Sequence, residues 1–458
     1  YQGVPQVREG RCMQRQGAWA SLWPPLSLAM TAAVLRRAGH EVRLIDAIAA
    51  ALPQQTVVGQ AVAFSPDWCI VNTATPSIPG DVETAAALKQ AVPACRIALI
   101  GIHVTALPGE TLQLSPAIDA VIRGEPEMAA LDLASGMPLP QVAGISYRGE
   151  QGSAHNPDRP PVAELDMLPF PAWDLIDKRR YLLPLSPTPF LLVATGRGCP
   201  HGCAFCADHA YYGRRPRRFS PGRIVDEIAH DVAAYGVDQF LFWAESFTLD
   251  RGHALAVAEE ILRRGLKIGW VCNSRSDQVD PELLAALRRA GCWMIGYGLE
   301  SGVDRVLGLM GKGSTVDQAR QAVRWAHQAG LQVTGHLMLG FPGETRADLR
   351  RTAAFARELG LDYAQFYAAV PFPGSALYDQ ARRSGWLASG DWRRYEQNYG
   401  VLRAGELTPR TVEAARRAAY RAFYLRPSQL LRTAARLRSR AAWRQALRAL
   451  ASFGEWAG

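Results

Sequence analysis

What most restricts the fold of this chain is an alternation of short apolar runs with runs of helical period, present twice and interrupted by a proline-rich stretch. In the first 150 residues, Leu26 to Ala38 is a helix-period run ended by Gly39. EVRLIDA, CIVNTAT, RIALIGIH and AIDAVIRGEPE then read as short strands, with a helix over Asp81 to Ala91. Strands separated by single helices predict an α/β unit with a doubly wound parallel sheet, whose ligand lies off the carboxyl ends of the strands. The loops to watch are therefore WPPL, NTATP, GIHVT and RGEPE. Residues 151–189 hold HNPDRPP and PLSPTP without a sustained period and read as a linker.

The second alternating set runs from FLLVATG to about residue 375, so that 190–375 forms the next domain. DQFLFW, KIGWVC, CWMIGYGLE, LQVTGHLMLG and LDYAQFYAAV are its further strands, with helix starts expected at Ser220-Pro221, Asp280-Pro281 and Ser314. Six strand-helix units predict a partial parallel (β/α)6 barrel, with chemistry on the loops at the strand carboxyl ends. Residues 376–458 turn helical and rich in Arg, Ala, Leu and Trp, and read as a small C-terminal helical domain. The chain opens at Tyr1 with no apolar strand before the first helix, so a short N-terminal piece, including the first strand of the sheet, is expected to be missing.

Composition narrows the class. With 48% hydrophobic and 20% charged residues over 458, a collagen, a disordered chain and a disulfide knot are excluded. No stretch of about 18 uncharged apolar residues occurs to span a bilayer as a helix. The formal charge of +9 is spread along the chain and names no partner. Of eight cysteines, five are scattered, while Cys199, Cys203 and Cys206 fall within eight residues and no signal peptide precedes them. This usage points to a reducing, cytoplasmic setting and one metal site.

CPHGCAFC directly follows the strand FLLVATG. Three thiolates at this spacing can hold a cubane iron-sulfur cluster with one iron left without a protein ligand, open to a substrate or cofactor. The alternative is a zinc knuckle completed by His201 or His209.

With these residues in view, the chain resembles the radical S-adenosylmethionine superfamily, whose signature is a CxxxCxxC loop after the first barrel strand, with Phe205 as the aromatic before the last cysteine. The resemblance spans roughly residues 185–375. It implies a [4Fe-4S] cluster on Cys199, Cys203 and Cys206, whose open iron chelates S-adenosylmethionine and cleaves it to a 5′-deoxyadenosyl radical. WAESF then implies Glu245 as the contact to the methionine amino group. NSRSD places Ser274 and Arg275 near its carboxylate, a pairing that suits a planar guanidinium. GYGLESG and LMLGFPGE match the family's later strands and add Glu300, Gly340 and Phe341 to the expected cofactor contacts. Taken singly, Glu245 and Glu300 could equally be caps or salt-bridge partners, and GFPGE an ordinary turn.

The N-terminal segment resembles the Rossmann-like cobalamin-binding domain that precedes the barrel in cobalamin-dependent members. Its expected corrin contacts are Pro24, Pro25 and Leu26 in the first loop; Thr73, Ala74 and Thr75 in the second; Gly101, Ile102, His103 and Val104 in the third; and Arg123, Gly124 and Glu125 in the fourth. DxHxxG, which supplies a lower axial histidine, is absent, so His103 is expected to be a loop residue and not a cobalt ligand. RRPRRF, Arg214 to Phe219, reads as a substrate or corrin contact or as a solvated loop.

The resemblance implies a C-methyltransferase that moves a methyl group from methylcobalamin to an unactivated carbon of a small or lipid-like substrate. It draws electrons from a donor such as flavodoxin or ferredoxin, and nucleic acid is not an expected partner. The C-terminal helices could rest on an anionic inner membrane or pack on the barrel. The region around FYLRP also resembles anaerobic cyclases of bacteriochlorophyll synthesis, which makes oxidation or cyclisation of a tetrapyrrole or lipid the alternative. A cofactor-binding sensor and a methylthiotransferase are two further readings; the cysteine triad argues against the first, and the lack of a second cysteine set against the second.

Overall fold

The N-terminal sheet is built from β1 (Trp68–Asn72), β2 (Arg96–Ile100), β3 (Ala120–Ile122), β4 (Ile145–Gly149) and β5 (Gly152–His155), in that spatial order. The structure is a computed structural model and describes residues 6–7, 14–15, 22–150, 152–183 and 188–436. Side-chain alternation explains the layers, because successive strand residues face opposite sides. Ile97, Leu99 and Val121 pack on one face with Ala61, Ile78 and Leu88, whereas Ala98, Ile100, Ala120 and Ile122 pack on the other with Leu28, Ala129 and Leu133. Helices thus cover both faces, as a doubly wound sheet requires.

Two expectations for this sheet are corrected. EVRLIDA is not a paired strand: Glu41–Asp46 carry no strand pairing, and a cavity of about 470 Å³ lies between this segment and β1. A strand exists only where a neighbour takes its N–H and C=O groups, and none of the described strands lies beside this segment. The sheet is also not wholly parallel, since β1 to β3 run parallel and β4 and β5 antiparallel. Only two residues separate β4 from β5, too few for a parallel crossover.

The second sheet holds β6 (Leu191–Ala194), β7 (Gln239–Trp243), β8 (Gly269–Ser274), β9 (Cys292–Glu300), β10 (Gln332–Leu339) and β11 (Tyr363–Ala368), all parallel and in sequence order. Its outer helices are amphipathic: Val316–Gln328 buries Val316, Ala319, Ala322, Val323 and Ala326, a single stripe at helical spacing. Ser220 and Asp280 cap their helices as expected. The cap expected at Ser314 falls one residue later, on Thr315, because Thr315 and Gln318 exchange reciprocal capping bonds.

The proline-rich stretch is packed: Trp173 and Tyr181 are fully buried, and the Tyr181 hydroxyl donates to Asp46 at 2.6 Å. Helix Pro409–Tyr424 lies along β11. The Tyr424 hydroxyl accepts from the Ala364 N–H (3.0 Å) and donates to the Ala364 carbonyl (2.8 Å), and the Tyr420 hydroxyl accepts from the Phe366 N–H (3.2 Å). Side chains thereby satisfy the free edge of an open sheet, which would otherwise invite another strand. No helix among the described residues is long and apolar enough to cross a membrane. The tail after residue 436, on which membrane contact was expected, lies outside the described residues.

Candidate active site

β6 leads into Gly196–Arg197, which pairs antiparallel with Arg217–Arg218 and closes the base of the cysteine loop. Within the loop the Ala204 N–H donates to Met310 (2.9 Å) and the Cys206 N–H to Cys203 (3.1 Å). Cys199, Cys203 and Cys206, all half-buried, line one cavity of about 280 Å³ in the barrel. Arg275 Nη1 stands 3.9 Å from Cys203 Sγ, so a cation flanks the cysteine loop. Among the described residues no three His, Cys, Asp or Glu side chains close to the spacing of a single metal ion. His201 is engaged elsewhere, its Nε2 lying 2.9 Å from Gln278 Nε2, and burial lowers the pKa of both His201 and His209.

Phe205, Glu245, Ser274, Arg275 and Glu300 line the same cavity. Glu300, at the end of β9, has φ +59°, a left-handed conformation unfavourable to a side chain. It is held there by a buried ion pair with Lys312 Nζ at 2.9 Å, and that ammonium also stands 6.0 Å from the Phe205 ring centre. Lys312 was missed in the sequence, although it is one of only four lysines and its GKG setting follows the GLES motif. Arg275 is oriented by Asp277, which accepts from Nε at 2.9 Å and Nη2 at 2.6 Å, and by the Lys312 carbonyl at 2.6 Å.

Gly340 and Phe341 are not among the residues that line the cavity. A Cβ on Gly340 would sit 2.6 Å from Val412 Cγ2, so this glycine admits the C-terminal helix, and Phe341 packs beside Met310 and Met338. GFPGE is a turn whose Gly340 and Phe341 N–H groups donate to Glu344 at 2.7 and 2.8 Å. Burial raises the Glu344 pKa to about 7.

Below the charged rim the wall turns neutral. Asn273, Thr334, His336, Gln365 and Tyr367 project into the cavity from β8, β10 and β11, among Trp243, Trp293, Met294 and Tyr363. These too were missed; the period-two pattern YAQFYA, with Tyr363, Gln365 and Tyr367 on one face, is the signal that could have found them.

The expected corrin loops meet at the carboxyl end of the N-terminal sheet. Ala74 and Ile102 pack directly on Ala207, Tyr211 and Tyr212, which follow the cysteine loop. His103 is buried, with Nδ1 3.3 Å from Thr75 Oγ1 and its ring edge-on to Trp392 at 4.9 Å; burial lowers its pKa to about 4. Thr73 donates to the Ile100 carbonyl at 2.7 Å, the Gly124 N–H donates to Thr105 at 3.0 Å, and Gly101 and Val104 are buried.

Other members of this set face elsewhere. Arg123 is turned into its own domain, donating to Ser146 (2.7 Å) and the Asn156 carbonyl (2.5 Å) and pairing with Asp158 (2.9 Å). Glu125 pairs with Arg197 at 2.9 Å and with Arg217, because a carboxylate buried at the seam needs a cation and the barrel supplies two. Pro24 and Pro25 begin the helix Leu26–Arg37; Pro25 faces the 470 Å³ cavity and Leu26 the core.

Two family models match the chain: the radical SAM superfamily over residues 193–356 and the B12 binding domain over 18–134. A protein of Pyrococcus horikoshii described as an uncharacterized methyltransferase is 34% identical over 415 residues, 89% of each chain. The anaerobic magnesium-protoporphyrin IX monomethyl ester cyclase of Rubrivivax gelatinosus is 28% identical over 79% of this chain and 67% of its own. Among solved structures, the cobalamin-dependent S-adenosylmethionine radical enzyme OxsB, with aqua-cobalamin and S-adenosylmethionine bound, superposes with a TM-score of 0.74 at 15% identity, over 94% of this chain and 69% of that one.

Proposed function

Because the chain belongs to the radical S-adenosylmethionine superfamily, among the members that carry a B12-binding domain, we propose that it is a cobalamin-dependent C-methyltransferase acting on a small molecule. Together the cluster, S-adenosylmethionine and cobalamin supply hydrogen abstraction from an unactivated carbon and a methyl group to replace that hydrogen.

The chain's own residues place, orient and shield. Cys199, Cys203 and Cys206, which line the cavity, would hold the cluster. Glu245, nine-tenths buried, accepts from the methionine amino group. Arg275, pre-oriented by Asp277, faces the carboxylate with the Nη1 side already beside Cys203. Phe205, Trp243 and Trp293 keep water from the reacting carbon. The loops Thr73–Thr75 and Gly101–Val104, at the seam where Ala74 and Ile102 pack with Tyr211 and Tyr212, would hold cobalamin. A one-electron donor of the flavodoxin or ferredoxin kind completes the system, and the tail after residue 436 is where contact with the inner membrane would fall. The observation that carries the reading is the convergence of three thiols, Glu245, Arg275 and the Glu300–Lys312 pair on one cavity beside a cobalamin-type domain.

The test is anaerobic reconstitution with iron, sulfide and hydroxocobalamin, then turnover with S-adenosylmethionine deuterated in its methyl group and an extract of the source cells. Cobalamin retention and a product heavier by a labelled methyl group support the reading. A product that is oxidised or cyclised without label supports the second reading, a cyclase-like reaction, which the similarity to the Rubrivivax enzyme favours.

A further inference from the structure

The lower half of the barrel cavity carries a site of its own. His336 Nδ1 lies 3.0 Å from the Tyr367 hydroxyl, which donates to Gln365 Oε1 at 2.8 Å, and the His336 and Tyr367 rings stack at 5.9 Å. His336 and Gln365 are register partners on β10 and β11. On the other side of His336, Gly296 lets two side chains close in on the backbone: a Cβ there would sit 2.4 Å from Asn273 Oδ1 and 3.1 Å from His336 Nε2. Asn273 and His336 thus lie side by side over Gly296, close enough that a side chain at position 296 would displace them. The result is a belt of neutral hydrogen-bonding groups, Asn273, His336, Tyr367 and Gln365, on strands that carry Trp293, Met294 and Tyr363 at their amino ends, away from the cysteine loop.

Of the four charged side chains lining the cavity, Arg275, Lys312 and Glu300 stand beside the cysteine loop, and Glu245 follows the carboxyl end of β7, so all four belong to the rim at the strand carboxyl ends. Among the described lining residues, none below that rim is Lys, Arg, Asp or Glu. An anionic group lowered into this wall would be stripped of water with no cation to meet it, whereas an apolar ring system bearing one hydroxyl or carbonyl would be matched throughout.

We propose that the substrate is an uncharged, largely apolar ring compound, and that His336 and Tyr367 read its single polar oxygen and so fix which carbon faces the rim. The inference rests on the methyltransferase reading only in taking this cavity as the reaction chamber. His336 and Tyr367 are positioned to act as specificity determinants: a site built to hydrogen-bond a hydroxyl discriminates against analogues that lack it.

The test is equilibrium dialysis of the anaerobic, cluster-loaded full chain against three probes: 2-naphthol, 2-methylnaphthalene and 2-naphthyl phosphate. The expected order of retention is naphthol first and the phosphate last. His336→Phe and Tyr367→Phe should each weaken naphthol binding by about tenfold, the worth of one such hydrogen bond, and leave methylnaphthalene unchanged. His336→Gln, which keeps a hydrogen-bonding group, should stay close to the parent; iron content and circular dichroism establish that each variant is folded. Retention of the phosphate as strongly as the naphthol, or equal naphthol binding by parent and both Phe variants, overturns the proposal. Binding is read without turnover, so absent methyl transfer would count against the reaction and not against this site.

Discussion

Arg197 and Glu127 form a buried ion pair at 2.5 Å, although one stands two residues before the first cluster cysteine and the other begins a helix of the N-terminal domain. Glu125 joins it, reaching Arg197 at 2.9 Å and also Arg217, so four charges less than a tenth exposed bind the two domains at the base of the cysteine loop. Arg217 belongs to RRPRRF, a segment read as a substrate or corrin contact or as a solvated loop; Arg217 is tied into this seam, while Arg214 and Arg215 are exposed. Neutralising one partner strands the other in a dry seam. Arg197→Met should therefore cost about 3–5 kcal/mol, while the double change Arg197→Met with Glu127→Met should recover much of that loss. Denaturant titration of the four members of the cycle measures the coupling, and additive effects would refute it.

Removal of a single thiol ligand should abolish the cluster. Cys203→Ala is expected to fall from about four irons per chain to less than one after anaerobic reconstitution, with loss of the charge-transfer absorbance. Cys69→Ala, away from the cavity, should reconstitute as the parent does.

Stability should fall as pH rises through the range 5–7. Burial raises the pKa of Glu227 to about 7, with Arg223 opposing and Asp231 adding to the shift. Burial likewise raises Asp231 to about 7, against Arg223 and Lys178. At low pH both carboxyls are protonated in the folded and unfolded chain, so neither contributes. Between their ordinary values, 4.5 and 3.8, and about 7, the unfolded chain releases protons that the folded chain keeps, and the equilibrium shifts toward unfolding; above about 7 the effect is complete. Asp231→Asn should flatten that slope in denaturation midpoints measured from pH 5 to 8, and an unchanged slope would reject the assignment.

His103 should prove dispensable as a cobalt ligand. Its ring is confined between Thr75 and Trp392, and burial keeps it neutral down to about pH 4. His103→Asn is expected to retain cobalamin through desalting, and the reduced cobalt(II) form of the parent should show no nitrogen hyperfine splitting from this histidine in its electron paramagnetic resonance spectrum. Loss of such splitting on substitution would establish ligation instead.

The architecture was legible where pattern is local. The six barrel strands, the cysteine loop after the first of them and the helix caps at Ser220 and Asp280 are each set by residues close in the chain: period-two and helical alternation, spacing of thiols, a capping side chain three residues from its N–H. Glu245, Ser274 and Arg275 were placed at the barrel mouth for the same reason, since Ser274 ends β8, Arg275 follows it and Glu245 lies two residues beyond β7.

What the tertiary structure alone decided concerns partners distant in sequence. EVRLIDA has the composition of a strand and no pairing, because pairing depends on what lies beside it. Gly340 looked like a glycine for a cofactor and proves to be one for Val412, 72 residues later. Glu125 looked like a corrin contact and is claimed by Arg197 and Arg217, and Lys312 acquires meaning only through the strained Glu300. Local sequence determines which residues can do chemistry and which elements carry them. Whether a given charge meets a ligand or another side chain depends on desolvation at contacts between elements, and that is settled only when the domains close on one another.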